Sequence, residues 1–299
     1  MNQDPTGQRM GQRRGGLRLW VLLLFAGYAA WYWFSNRSID PLTGQAVVID
    51  KSISPEQEKS LGLQAYQQVL QQEKPLPADA QVSKQVRAIA ERLIEKIPQV
   101  TDSLATEHGL QASHIENSFD WAVTVLQSDQ ANAFCLPGGK MAVYTGLLPV
   151  AQNADAMAVV MGHEIAHALL RHGAQRMTRG KLEQLGQMAG AASGMDSGTL
   201  QSVMSAYGYG SALPYARSQE TQADELGLML AASACFDPQQ AVPLWQRMNQ
   251  NSDGKAPPEF ASTHPSAGTR IQQLEALMPK AEAYKAKFCT GASAASGTH

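Results

Sequence analysis

Two histidines four residues apart constrain the fold of this chain more than any other feature. They are His163 and His167, within the stretch MAVVMGHEIAHALLRH, which ends at His172. Apolar residues recur through this stretch at helical spacing, which predicts a helix packed in a core, and Asn153 offers an N-terminal cap. On a helix the two imidazoles lie one turn apart on the same face, where both can reach one metal ion.

The residues around this pair predict a catalytic zinc site. Such a site uses three protein ligands and a water whose pKa the metal lowers, so Glu164, beside the first histidine, is a candidate general base. The third ligand must come from elsewhere in the chain. Glu220 and Asp224, four apart in SQETQADELG, can supply a ligand and an acceptor for a ligand histidine, whereas Glu225 is the weaker candidate. The rival interpretation is an accidental HExxH with a solvated acidic pair.

The N-terminal region predicts attachment to a membrane. Residues 19–34, LWVLLLFAGYAAWYWF, carry no charge, and residues 1–18 contain four arginines. We expect a single transmembrane anchor over 19–34, with 1–18 in the cytoplasm and the remainder across the membrane. The alternative is a cleaved signal peptide with a small-x-small site at 27–29. A net charge of -2 gives no case for a nucleic-acid partner.

The rest of the chain predicts an α+β domain that is mostly helical. We expect a linker over 35–52, the domain over 53–285 and a disordered polar tail over 286–299. One helix should begin after Ser54, and a second should run from Ala80 to Ile97 and end at Pro98.

Residues 119–145 predict a small sheet with a hairpin. FDWAVTVL over 119–126 has strand composition, and a Pro-Gly-Gly turn precedes a strand over 140–145. A strand at the edge of this sheet, around Asn132, Ala133 and Phe134, could pair with an extended peptide substrate. An ordinary sheet hairpin explains the same pattern equally well.

Three cysteines, Cys135, Cys235 and Cys289, show no CxxC spacing, which argues against a structural zinc site. If the domain lies outside the cytoplasm, Cys235 and Cys289 could form a disulfide, but their separation in sequence does not establish it.

Several motifs together resemble one family. HEIAH with the downstream ETQAD is similar to the HExxH and ExxxD pattern of metallopeptidase family 48, which includes HtpX, BepA and the CaaX prenyl proteases. NAFCLPGGKMAVYTGL, PYARSQE and PPEFASTHPSAGTRI agree as well, and the resemblance covers Ile53 to Tyr284. It implies a zincin fold and endopeptidase activity toward misfolded or membrane-associated proteins. The one apolar span resembles single-anchor bacterial members and the mitochondrial inner-membrane stress protease type.

The resemblance also implies roles for particular residues. His163, His167 and Glu220 would bind one zinc ion, Glu164 would be the base, and Asp224 would support a ligand histidine. A bacterial inner-membrane location with a periplasmic protease domain would follow from the single span.

Residues of the downstream motifs have less settled roles. His264 would be a fourth ligand that latches the resting enzyme, a donor to the oxyanion, or merely a surface residue. Arg217 and Arg270 would make buried ion pairs or hydrogen bonds that hold the ligand helix and the final loop. His172 lies five residues beyond His167, so on a continuous helix it would point away from the metal and serve the structure only.

Two other functions stay open at this point. The chain could bind unfolded clients without cutting them, or it could be a structural membrane protein with an incidental HExxH. Self-cleavage during expression would distinguish the first from a protease, and stoichiometric zinc would exclude the second.

Overall fold

The structure is a computed structural model, and it describes residues 18–195, 217–250, 260, 264 and 269–289. The chain divides into two compact units, one made of Met1–Ser35 with Arg179–Ser211, the other of Asn36–Thr178 with Ala212–His299. Residues 1–17 of the predicted cytoplasmic segment and the predicted tail beyond 289 lie outside the described residues.

The smaller unit contains helix α1 (Leu19–Asn36), up to Ser35, and the later part of helix α6 (His172–Ala192), from Arg179 onward. The Tyr32 ring lies under the Lys181 ammonium, while Leu23 and Leu24 on α1 are 72% and 66% exposed. A span needs about 20 mostly apolar residues. Among the helices of the described residues, none combines enough length and hydrophobicity for a span, so the anchor over 19–34 stays a prediction.

The larger unit begins with a hairpin of β1 (Arg37–Ile39) and β2 (Ala46–Val48), followed by helix α2 (Pro55–Gln72). Ser54 caps α2 through a capping box with Gln57, as expected from Ser-Pro at a helix start.

Helix α3 (Gln81–Glu107) corrects the predicted end at Pro98, which lies inside it. Pro98 is exposed, so water can solvate the Ile94 carbonyl that loses its amide partner. Val100 and Leu104, beyond the proline, are 0% and 1% exposed, and their burial holds the helix together.

The predicted sheet is confirmed and has three strands, β3 (Ala122–Leu126), β4 (Ala133–Leu136) and β5 (Lys140–Tyr144). Their order is β3-β5-β4, with β3 parallel and β4 antiparallel to β5. The edge strand β4 lies beside the helix that carries the histidine pair.

The short α4 (Leu148–Ala151) leads into the helix that carries the histidine pair, α5 (Ala154–Leu169), and the helices after it pack on α5 or on one another. Beyond it come α7 (Arg217–Ser233), α8 (Ala241–Gln250) and α9 (Arg270–Phe288). All side chains from Ala156 to Leu169 are buried, so α5 is the centre of the core. Helix α9 ends at Phe288, three residues beyond the predicted end of the domain at 285.

Two close approaches fix the positions of α5, α7 and α9. A Cβ atom on Gly227 of α7 would lie 2.6 Å from the backbone nitrogen of His163, so only glycine lets these helices cross so tightly. At the other end of α7, Cys235 and Cys289 form the disulfide that the sequence left open. Cys235 takes the left-handed position after the helix, at φ 65, where its amide donates to the Ala232 carbonyl.

Candidate metal centre

Four buried side chains from three regions meet at one point. His163 and His167 come from α5, Glu220 from the first turn of α7, and His264 from the chain before α9. The Asn153 side chain caps α5 by accepting the amide of Ala156, as predicted. Each of the four offers one ligand atom, and these atoms lie within 4.8 Å of one another.

The distances among these atoms are close to those around one zinc ion. Bonds of about 2.0–2.1 Å place neighbouring ligand atoms of a tetrahedron roughly 3.3–3.4 Å apart. His163 Nε2 lies 3.0 Å from His167 Nε2, 3.4 Å from Glu220 Oε2 and 3.3 Å from His264 Nδ1. Glu220 Oε1 lies 3.5 Å from His167 Nε2 and 3.1 Å from His264 Nδ1. Two or three imidazoles with a carboxylate are also the donors that zinc prefers, so the cluster is compatible with one zinc ion.

The two histidines of α5 have different outer contacts. His163 Nδ1 lies 2.9 Å from Asp224 Oδ1, one turn beyond Glu220 on α7, as the four-residue spacing predicts. His167 Nδ1 lies 2.9 Å from His172 Nδ1. One ligand candidate therefore contacts a carboxylate and the other a second imidazole.

The contact of His172 corrects the expectation that it points away from the metal. The expectation assumed one continuous helix, but α5 ends at Leu169 and Arg171 takes a left-handed conformation at φ 52. Arg171 Nε donates to Glu58 Oε1 on α2 at 2.7 Å, which helps to hold the break. A new helix starts at His172 and brings its ring beside His167.

Arg270, the first residue of α9, neutralises the acidic pair. Its guanidinium donates to Asp224 Oδ1 at 2.6 Å and to Glu220 Oε2 at 3.2 Å, in agreement with the predicted buried ion pairs. It also lies 3.4 Å above the ring of Trp245 on α8. Trp245 was not foreseen, since a lone aromatic residue gives no sign of which charge it will cover.

Glu164 lies beside this cluster with an unsatisfied oxygen. The side chain is 3% exposed, and its Oε1 accepts no hydrogen bond from the residues that the structure describes. His264 Nε2 lies 3.5 Å from this oxygen. Burial raises the pKa of Glu164, and His264 and His163 only partly oppose this effect. A buried carboxylate with a free lone pair and a raised pKa can take a proton from a water molecule.

Burial and neighbouring protein groups also shift the pKa values of the other side chains in and around the cluster. Burial lowers the pKa of His163, but hydrogen bonds to Asp224 and Glu220 outweigh it and raise the pKa to about 9. Burial raises the pKa of Glu220, and its contacts with His163 and His264 reverse the effect and lower it. Burial dominates at His172 and lowers its pKa to about 4. Glu220 is thus ionised at neutral pH, as a metal ligand must be.

Residue 260 closes the site from the side of the sheet. The ring of Phe260 is fully buried and stacks on His264, with ring centroids 4.5 Å apart. Its amide donates to the Ala131 carbonyl at 3.2 Å, just before the edge strand β4. No local sequence pattern predicts this contact.

Other predicted site residues lie farther out. Arg217 is exposed at the start of α7, so the buried ion pair predicted for it is wrong. Glu225 pairs with Lys280 at 2.8 Å and faces away from the cluster, as expected. Of the proposed substrate strand, Ala133 and Phe134 open β4, and the Asn132 carbonyl accepts the amide of Tyr144.

Comparisons with known proteins agree with this site. The family model described as Peptidase family M48 matches residues 91–278. The mitochondrial metalloendopeptidase OMA1 of Schizosaccharomyces pombe is 32% identical over 88% of this chain and 73% of its own length. The protein of that name from Saccharomyces cerevisiae is 30% identical over 91% of this chain and 78% of its own length. The β-barrel assembly-enhancing protease of Escherichia coli is 25% identical over 78% and 46% of the two chains.

Proposed function

The chain belongs to peptidase family M48 and is a zinc metalloendopeptidase, and we propose that it degrades misfolded membrane or envelope proteins from a membrane anchor. His163, His167 and Glu220 are the proposed zinc ligands, and Glu164 is the proposed base. The observation that carries this assignment is the convergence of these side chains, with the orphaned Glu164 oxygen beside them.

The mechanism assigns each residue a task. When bound, zinc acts as a Lewis acid that polarises the scissile carbonyl and lowers the pKa of water. Glu164 takes a proton from the attacking water and returns it to the leaving amine. Asp224 accepts the Nδ1 proton of His163, which fixes the ring with Nε2 toward the cluster. Arg270 keeps Asp224 ionised in a buried site and also contacts Glu220.

Replacement of Glu164 by Gln tests the base. We expect casein cleavage to fall by about 10²–10⁴-fold, while zinc content stays stoichiometric because Glu164 is not a ligand. Glu225→Gln is the matched control, since it makes the same change at a carboxylate that faces Lys280. Full turnover by Glu164→Gln, or self-cleavage as rapid as in the parent, would reject the assignment.

His264 is proposed to be the fourth ligand of a resting state. A catalytic zinc site keeps one position open, whereas four protein donors close it. We expect His264→Ala to increase turnover if the histidine is a latch and to decrease it if the histidine donates to the oxyanion. Initial rates on casein at saturating zinc separate the two roles.

The edge strand β4 is the proposed substrate site, around Asn132, Ala133 and Phe134. Its support is the position of β4 beside α5 and its pairing on one side with β5. A peptide whose pairing extends beyond β4 to Ala131 would compete with the Phe260 amide for the Ala131 carbonyl. Because the Tyr144 amide donates to the Asn132 carbonyl, Asn132 and Phe134 pair with β5, and the backbone of Ala133 faces the free edge. Proline at 133 should therefore impair KM more than zinc binding, as measured by steady-state kinetics and metal analysis.

Membrane attachment and location complete the proposal. The uncharged run over 19–34 and the arginines before it support a single-pass protein of the bacterial inner membrane with a cytoplasmic N-terminus. A disulfide between Cys235 and Cys289 supports an oxidising compartment, here the periplasm, for residues 53–285.

Fractionation of cells tests the location. We expect the protein to stay with membranes in alkaline carbonate and the protease domain to be digested in spheroplasts by added protease. A protein that carbonate extracts, or a domain that is protected until lysis, would reject this part of the proposal without affecting the zinc site.

A further inference from the structure

A hydrogen-bonded chain of neutral side chains runs outward from His167. Its Nδ1 lies 2.9 Å from His172 Nδ1, and His172 Nε2 lies 3.1 Å from Gln222 Oε1. Gln222 Nε2 then donates to Gln45 Oε1 at 2.8 Å. His167 and His172 are buried, Gln222 on α7 is half-buried, and Gln45 in the loop between β1 and β2 is exposed.

Zinc ligation by His167 determines every proton in this chain. Its Nε2 faces His163 and Glu220, so a metal would bind there and the ring proton would sit on Nδ1. His172 Nδ1 must then accept that proton, which leaves the His172 proton on Nε2. Gln222 must accept at Oε1 and donate from its amide nitrogen, which is the orientation that brings it to Gln45.

We propose that His172 and Gln222 are positioning residues that hold His167 in the tautomer and orientation required for zinc binding. The inference rests on the proposed role of His167 as a ligand. Under this proposal, the two ligand histidines donate their Nδ1 protons to different kinds of acceptor. His163 donates to an ionised carboxylate that is paired with Arg270, whereas His167 donates to an uncharged imidazole backed by an amide.

Three features of the fold favour positioning over simple packing. The break at Arg171 turns His172 back toward His167, where a continuous helix would point it away. The atoms lie at hydrogen-bond distance through three successive polar groups. This series of hydrogen bonds ends at the exposed Gln45, where water can satisfy the last polar group. No buried donor or acceptor along the series is therefore left unpaired.

The test compares His172→Leu with His172→Asn in the full-length protein. Leucine removes the acceptor, whereas the Oδ1 atom of asparagine can take the place of Nδ1. Loss of an outer contact to a metal ligand typically costs about 10–100-fold in affinity. We expect the zinc dissociation constant, measured by competition with a chromophoric chelator, to rise by that factor in His172→Leu and to stay within about threefold of the parent in His172→Asn.

Gln222→Leu provides a second variant, at a half-buried position. We expect it to weaken zinc by about tenfold and to shift the visible absorption bands of the Co²⁺-substituted protein, which report the ligand geometry. Thr221→Val is the matched control, because the Thr221 hydroxyl contacts Arg217 and Gln273 and takes no part in the hydrogen bonds from His167 to Gln45. Thermal unfolding of the zinc-free proteins identifies any variant that fails to fold.

The outcomes separate this inference from the proposed function. Parental zinc affinity and Co²⁺ spectrum in both His172→Leu and Gln222→Leu would overturn the positioning role, and so would equal loss in folded His172→Asn and His172→Leu. If His172→Leu does not fold, Gln222→Leu decides alone. Stoichiometric zinc in His167→Ala would instead reject the ligand assignment itself.

Discussion

Replacement of Gly227 by Ala should push the two ligand helices apart. The added Cβ would lie 2.6 Å from the His163 nitrogen, whereas ordinary contact begins near 3.4 Å, so α7 must move by roughly 0.8 Å relative to α5. The obstructing atoms belong to the backbone and cannot rotate aside. Metal–ligand distances tolerate only about 0.2 Å, and Glu220 moves with α7.

The expected cost follows from this displacement. Overpacking of a tight core typically lowers the free energy of unfolding by about 1–3 kcal/mol, and the better helix propensity of alanine raises it by about 1 kcal/mol. We therefore expect a small loss of unfolding free energy in the zinc-free protein. The larger effect should be on zinc, with a dissociation constant about tenfold higher if roughly 1.4 kcal/mol of strain opposes binding.

Gly180→Ala is the control for this prediction. Gly180 also lies in a helix, but nothing lies within 4 Å of its added Cβ, so this change should raise stability by about 1 kcal/mol and leave zinc affinity unchanged. Denaturant unfolding and chelator competition measure both quantities. The reasoning is refuted if Gly227→Ala matches Gly180→Ala in both stability and zinc affinity.

Three further changes test the packing around the site. Cys289→Ser opens a loop closed across a separation of 54 residues, which should lower the unfolding free energy by about 4 kcal/mol in denaturant titrations, and an unchanged midpoint would contradict this. Arg270→Met leaves Asp224 buried without its cation and should cost about 3–5 kcal/mol in the zinc-free protein, part of which Asp224→Asn should restore. Pro98→Ala should raise thermal stability by about 1–3 kcal/mol, because it returns an amide donor to the middle of α3; a fall would mean that the proline is needed there.

The sequence predicted the residues of the metal site because their spacing is a local property. Two imidazoles four residues apart share a helix face whatever surrounds the helix, and the same holds for Glu220 and Asp224. The apolar residues at helical spacing also predicted that α5 packs in the core, although the structure buries every residue from Ala156 to Leu169 and not one face alone. These predictions needed no knowledge of which helices would pack together.

Predictions that depended on packing did worse. Proline strongly destabilises an isolated helix, yet α3 continues past Pro98 because burial of Val100 and Leu104 stabilises it. Arg217 lies three residues before Glu220 and Arg270 lies fifty residues after it, yet it is Arg270 that enters the core, because α9 packs along α7. No local pattern distinguishes the two arginines.

The helix break at Arg171 shows how a long-range contact changes the geometry expected from local spacing. No glycine marks it, so sequence periodicity continues α5 through His172 and turns that ring away from the metal. The left-handed conformation of an arginine is costly, and here a buried carboxylate on α2 offsets the cost by binding its side chain. Because α2 lies more than a hundred residues earlier, the orientation of His167 depends on a contact that neither the HExxH motif nor its neighbours contain. The motif of a metal site therefore predicts which side chains converge but leaves out the long-range contacts that orient them.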